Sequence, residues 1–288
     1  MWRRKFKLRR EAVAIWLKFA AYRALSWALS WRYLGRREYV GWACILRNDY
    51  LGDFFVSWPA LAGLVSWFHG RGLRVLVVTS APMRDLAAAT GLFDAVEMAD
   101  PRAIGRSLRE RLMAYAWARH LAPEVFVSLV CVPEARLGID DCFARFIAAK
   151  AKYGCAMPLM RRKGFRESFF YSRQGNGFYT RLLRAGRASA LPAIEAALFQ
   201  MVTGETLPPA PEFPKLLATL PPSLAGRGYC VVVPGATAPG RRWPIENFQG
   251  WAARARGLAP GLLLAVVGTA EEKPLGTALE SALPGGAV

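Results

Sequence analysis

The sequence predicts an α/β protein built on parallel sheet, divided once along its length and preceded by a basic helix. Three observations carry that expectation. From Tyr39 onward, short apolar runs alternate with helical stretches, the pattern of strands joined by crossover helices. Residues 203–228 hold six prolines, Pro208, Pro209, Pro211, Pro214, Pro221 and Pro222. Such a stretch is semi-rigid and marks a domain boundary. Residues 1–40 carry eleven Lys and Arg against only Glu11 and Glu38, half of the chain's net +18. With 288 residues, 53% of them hydrophobic, the chain can bury a large core and is not globally disordered.

The leading segment reads as a helix over roughly 11–34, with no Pro and no Gly before Gly35. Its apolar arc holds Val13, Leu17, Ala24, Ala28 and Trp31, opposite a narrower polar face with Arg23, Ser26 and Ser30. Its longest uncharged run, residues 24–31, is eight residues, far short of the roughly 20 that span a bilayer. Lys18 and Arg23 also interrupt any signal-peptide core. Basic side chains with Trp2, Trp16, Trp27 and Trp31 suit a helix lying among the headgroups of an anionic leaflet. The plainer alternative is a surface helix packed on its own domain.

Residues 40–46 then read as a strand and 53–69 as a helix, kinked or restarted at Pro59. A strand over 73–79, a short helix over 83–90 and a short strand over 95–98 follow. Residues 101–120 read as one helix with Pro101 in its first turn. The pattern continues with a strand over 125–132 and a helix over 140–152. Residues 153–190, rich in Arg, Gly and aromatics, read as loops with a helix near 178–185. A helix over 192–202 precedes the prolines. Beyond them come a strand over 229–233, a helix over 244–256, a strand over 262–267 and a helix over 271–282. The five cysteines (Cys44, Cys131, Cys142, Cys155, Cys230) show no two-residue spacing, and neither histidine lies close to them. Reduced, mostly buried thiols of a cytosolic protein are therefore expected, rather than disulfides or a zinc site.

Two strand-to-helix turns carry chemistry. The first is Ile45-Leu46-Arg47-Asn48-Asp49-Tyr50-Leu51-Gly52-Asp53, where Gly52 lets the backbone turn and Asp53 falls near a helix start. Ligands of open α/β sheets bind at such carboxyl ends of strands. A carboxylate there can act as general base toward a substrate hydroxyl, or simply cap the helix. The second is Pro234-Gly235-Ala236-Thr237-Ala238-Pro239-Gly240-Arg241-Arg242-Trp243-Pro244. Its small residues allow close backbone approach, Thr237 can donate a hydroxyl, and Arg241 and Arg242 can neutralise a diphosphate. An ordinary exposed loop with two solvated arginines is the alternative. Neither turn is a Walker loop, a dinucleotide fingerprint or a hydrolase elbow.

Together these turns resemble glycosyltransferase family 9, the lipopolysaccharide heptosyltransferases. Arg47-x-Asp49-x-x-Gly52-Asp53 with Pro59, Ala60 and Leu61 is similar to that family's first loop and helix. Pro234-Gly235-Ala236-Thr237 with Arg241-Arg242-Trp243-Pro244 and Phe248, then Gly268 with Glu272, are similar to its donor-side elements. The resemblance, which covers roughly Tyr39 to Glu272, implies an α/β, GT-B-like fold, preceded by residues 1–38 that composition reads as a basic amphipathic membrane-associating helix. It makes 39–205 a complete N-terminal, acceptor-side Rossmann-like domain and 206–228 a Pro-rich linker. Residues 229–288 become a partial C-terminal Rossmann-like domain that takes the nucleotide-sugar.

By the same resemblance, Asp53 is the base of an inverting transfer that needs no obligatory metal or cofactor. Arg47, Asn48, Asp49 and Gly52 form the acceptor-side loop. Gly235, Ala236, Thr237, Arg241, Arg242 and Glu272 bind the donor, with Thr237 and Arg241 on its diphosphate and Glu272 on its nucleoside. The family's Asp-x-Gly-x-x-His element is absent, since the chain ends at Val288 and no Asp follows Asp141. An incomplete donor domain and impaired transfer are therefore expected.

The implied partners are a nucleotide-sugar, a lipid-linked glycan acceptor and an anionic membrane, with the protein peripheral on the inner face of the cytoplasmic membrane. The alternatives are a non-catalytic, membrane-associated relic and a nucleic-acid binder. No nucleic-acid module is recognisable, and half of the charge lies in the leading helix, so nucleic acid is not an expected partner.

Overall fold

The computed structural model describes residues 17, 20–22, 24–29, 38–48, 51–133, 139–157, 179–186, 189–214, 221–236, 240 and 242–282. The chain divides into two compact units, Met1–Leu216 and Leu217–Val288. In the first, strands β1 (Trp42–Arg47), β2 (Arg74–Thr79), β3 (Ala95–Met98), β4 (Val125–Ser128), β5 (Val132–Pro133), β6 (Ala151–Met157) and β7 (Arg181–Arg184) form one sheet. Every pairing in it is parallel. Its main path runs β3-β2-β1-β4-β6. Tyr153 pairs with both Val127 and Arg181, and Ala156 with both Val132 and Arg184. The two-residue β5 therefore prolongs the β4 edge of β6, while β7 lies along the opposite edge.

The chain winds outward from β1 to β2 and β3, then returns past β1 to β4. The strand order thus reverses beside β1, which makes the carboxyl ends of β1 and β4 the topological switch point where such sheets take ligands. All six residues of β1 are buried, because helices cover both faces of a parallel sheet. One face packs Trp42, Cys44, Leu46, Leu76 and Val78 with Tyr115, Phe126 and Phe143. The other packs Ala43, Ile45, Val75, Val77 and Val127 with Leu61, Leu64, Phe68, Leu198 and Phe199.

The leading helix α1 is described at residues 17, 20–22 and 24–29, all of them helical. The remaining helices of this unit are α2 (Leu51–Val56), α3 (Trp58–His69), α4 (Arg84–Ala89), α5 (Pro101–Arg106), α6 (Leu108–Ala118), α7 (Ile139–Phe146) and α8 (Leu191–Thr203). Helix α1 docks on α6 through Tyr22, whose hydroxyl accepts from Arg111 Nη1 at 2.9 Å. Its buried Ser26 accepts from Arg119 Nε at 3.2 Å. Ser26 was expected on the narrower polar face of this helix, opposite its apolar arc. Instead that edge is the docked one, because two arginines offer it hydrogen bonds, and Leu17, Leu25 and Trp27 are exposed.

Several expected elements differ in the structure. The helix over 53–69 does restart at Pro59, which lies in the first turn of α3, but its first part begins earlier, at Leu51. The helix over 101–120 breaks at Ser107, whose hydroxyl caps α6 by accepting from Glu110 N. The strand over 125–132 is β4 and β5 with a gap between them. The helix over 140–152 ends at Phe146, and residues 151–157, read partly as helix and partly as loop, are β6. The expected helix near 178–185 is strand β7. In each of the last two cases, pairing with a neighbouring strand overrides a local sequence poor in β-branched residues.

The Pro-rich stretch begins docked on the first unit. Trp58 Nε1 donates to Pro211 O at 3.0 Å, and the Phe213 ring lies 4.6 Å from that of Trp58. The second unit holds β8 (Tyr229–Val232), α9 (Ile245–Leu258), β9 (Leu263–Val266) and α10 (Lys273–Ala282). The two strands are parallel, and Val232, Ala252, Leu264 and Leu279 form their core with the helices. Among the described residues no helix is long and apolar enough to cross a membrane.

Candidate functional site

At the switch point the last residue of β1, Arg47, is 1% exposed. Its Nη1 donates to Leu129 O at 2.7 Å and lies 3.3 Å from Glu195 Oε1. Its Nη2 donates to the backbone carbonyl of Asp53 at 2.8 Å. One planar guanidinium thereby ties the end of β1, the exit of β4 and the first turn of α2. Glu195, on α8, is also buried and accepts from Ser57 Oγ at 2.5 Å. A buried ion pair survives desolvation only with such added hydrogen bonds. Beside it, buried Asn48 donates from Nδ2 to Ala99 O at 3.3 Å, joining the exits of β1 and β3. Thr79 Oγ1 and Ser128 Oγ, at the carboxyl ends of the strands flanking β1, are buried without a hydrogen-bond partner among the described residues.

Asp53 is the third residue of α2 and is half-buried. Its carbonyl accepts from Ser57 N at 2.9 Å in the ordinary helical pattern. It lies inside the helix and so does not occupy the N-cap position. Its carboxylate has no hydrogen-bond or ion-pair partner among the described residues. Leu51, Phe55 and Val56 around it are exposed. Gly52 was expected to serve a backbone turn. It lies within α2, outside the positive-φ glycines, and a Cβ there would meet nothing within 4 Å. Asp49 lies outside the described residues.

In the second unit, Gly235 and Ala236 leave the end of β8, and Arg242, exposed, donates from Nε to Ala236 O at 3.1 Å. Thr237 and Arg241 lie outside the described residues. Glu272 ends the 3-10 turn Ala270–Glu272 that follows β9. Its Oε2 accepts from Thr269 N at 2.9 Å, and the Thr269 side chain accepts from Glu272 N, a reciprocal capping box. The same carboxylate crosses Gly235 so closely that a Cβ there would overlap it. Any side chain at this position would have to displace the Glu272 carboxylate. A cleft of about 310 Å³ opens at these strand ends, lined by Pro234, Gly268, Thr269, Glu272, Lys273 and Thr277 among others. Its size suits a nucleoside-sized ligand. Among the described residues no three His, Cys, Asp or Glu side chains gather as metal ligands.

The structure thus places Arg47, Asn48, Gly52 and Asp53 together in the first unit, and Gly235, Ala236, Arg242 and Glu272 together in the second. Glu195 could not be singled out in advance, because a single Glu in a helix with no motif around it reads as a surface residue.

No protein-family model matches the chain, and no curated protein matches it. Solved structures do. E. coli heptosyltransferase WaaC with ADP superposes with a TM-score of 0.61 at 14% identity, over 85% of this chain and 74% of that one. E. coli ADP-heptose lps heptosyltransferase II gives 0.55 at 14% identity, over 85% and 69%. A glycosyl transferase family 9 protein from Veillonella parvula DSM 2008 gives 0.59 at 13% identity, over 85% and 68%. The fold is GT-B-like. In a GT-B-like chain, Rossmann-like units present the carboxyl ends of their parallel strands to ligands. Both candidate clusters lie at such ends.

Proposed function

We propose that the chain is an inverting glycosyltransferase. It moves a sugar, heptose or a related one, from a nucleotide-sugar to a lipopolysaccharide core or another lipid-linked glycan. The observation that carries this reading is the Asp53 carboxylate. It stands at the switch point, unpaired among the described residues, on backbone held by buried Arg47.

In the proposed reaction Asp53 takes the proton of the acceptor hydroxyl as that oxygen attacks the anomeric carbon. The bond from that carbon to the diphosphate breaks on the opposite face, which inverts the centre. Charge then develops on the leaving diphosphate, where Arg241 and Arg242 stabilise it by charge-assisted hydrogen bonds. No protein nucleophile and no metal are needed. The cleft beside Gly235 and Glu272 receives the nucleoside end of the donor. Further support comes from the solved neighbours with ADP and with ADP-2-deoxy-2-fluoro heptose.

The leading helix supplies attachment to the inner face of the cytoplasmic membrane. Its docked edge leaves Leu17, Leu25 and Trp27 outward within the most basic segment of the chain. That combination suits an anionic leaflet.

Asp53→Asn is the direct test. It is expected to lower transfer by about 10²-fold or more, the usual contribution of a positioned base, while leaving donor affinity nearly unchanged. Unchanged turnover would remove Asp53 as the base.

A further inference from the structure

The register of the first sheet brings together two thiols that lie far apart in the sequence. Val132 of β5 pairs with Ala156 of β6, and one residue earlier on each side stand Cys131 and Cys155. Neighbouring strands run about 4.8 Å apart, within the Cα separation of about 4.4–6.8 Å that a disulfide spans. Both are free thiols in the apolar cluster under α3 and α8. Cys155 is buried and Cys131 is half-buried, so the pair has one inner and one outer sulfur.

The neighbouring Cys155 thiol holds Cys131 below the usual thiol range, against the opposing effect of burial. The Cys131 thiol, with burial, pushes Cys155 well up. Cys44, enclosed in β1, is pushed up by burial alone. A thiolate, rather than a thiol, is the species that peroxides oxidise, which sets the half-buried Cys131 apart from both.

We propose that Cys131 and Cys155 are a reversible oxidation site, a dithiol that hydrogen peroxide converts to a disulfide. The Cys131 thiolate attacks one peroxide oxygen, the O–O bond breaks, and the departing hydroxide takes up a proton as water. This leaves Cys131 as a sulfenic acid. The Cys155 sulfur then attacks the Cys131 sulfur. The S–S bond forms, the S–OH bond breaks, and the hydroxide leaves as water with the Cys155 proton. Two thiols lose two electrons in all, and one peroxide becomes two waters. The linkage falls two residues beyond Leu129, whose carbonyl holds Arg47, so it sits on the support of Asp53. Nothing in this inference depends on the proposed transferase activity.

The test treats the folded full-length chain with hydrogen peroxide, alkylates the remaining thiols after denaturation, and maps peptides without reduction. A peptide pair crosslinked through Cys131 and Cys155, released by dithiothreitol, is expected. Cys131→Ser should abolish the crosslink, and Cys155→Ser should leave a Cys131 sulfenic acid that dimedone captures. Recovery of both wild-type cysteines as alkylated thiols would overturn the proposal. So would their separate conversion to sulfinic acids, or crosslinking of Cys131 to a different cysteine.

Discussion

Arg47 and Glu195 show how one buried pair can set the position of a third residue. The guanidinium reaches Leu129 O and Asp53 O, and Glu195 both neutralises it and accepts from Ser57. Removing one partner leaves the other charge buried and uncompensated, which costs about 3–5 kcal/mol. Glu195→Ala is therefore expected to lower unfolding stability by about that amount in a urea titration. An unchanged midpoint and slope would show that the pair does not hold this corner of the fold. Cys131 and Cys155 in the same region follow a related rule. Their proximity comes from strand register, so no spacing in the sequence announces it.

Helix α1 is the element whose role is most open to measurement. It attaches to α6 through Tyr22 and Ser26, and Leu17, Leu25 and Trp27 are exposed. Deleting residues 1–38 is expected to release the protein from anionic vesicles in a sedimentation assay, and adding salt to weaken binding of the intact chain. Undiminished pelleting of the shortened chain would contradict this anchor.

Elements of the central sheet were legible because β1, β2 and β4 are apolar runs bounded by turn residues, as strands covered on both faces must be. Strand β7 was not, because Arg181-Leu-Leu-Arg184 has no β-branched residue and equally good helix formers. Strand β6 was hidden in the same way by Lys152 and Gly154. Lys152 sends its Nζ to Ala144 O at 2.9 Å, while Gly154 makes room for the ring of Tyr179. Both are tertiary reasons that a local pattern does not carry. The place of Arg47 and Asp53 at the carboxyl end of β1 was legible in the sequence, but what their neighbours do to them was not. Arg47 is buried support, and Glu272 is at once a capping residue and a wall against Gly235.

At the scale of the molecule, half of the net charge of +18 lies in the first 40 residues, and each of the two units has the carboxyl ends of parallel strands at its candidate cluster. The first contributes the Asp53 carboxylate, which has no partner among the described residues, beside exposed Leu51, Phe55 and Val56. The second contributes a cleft of about 310 Å³ beside a glycine that no side chain can replace without displacing Glu272. The central claim joins these as acceptor and donor sides of one sugar transfer, and donor binding is its most direct test. Calorimetric titration of the full chain with ADP-, GDP- and UDP-sugars is predicted to give saturable binding of at least one at millimolar concentration or below. No binding of any of the three at that concentration would contradict it.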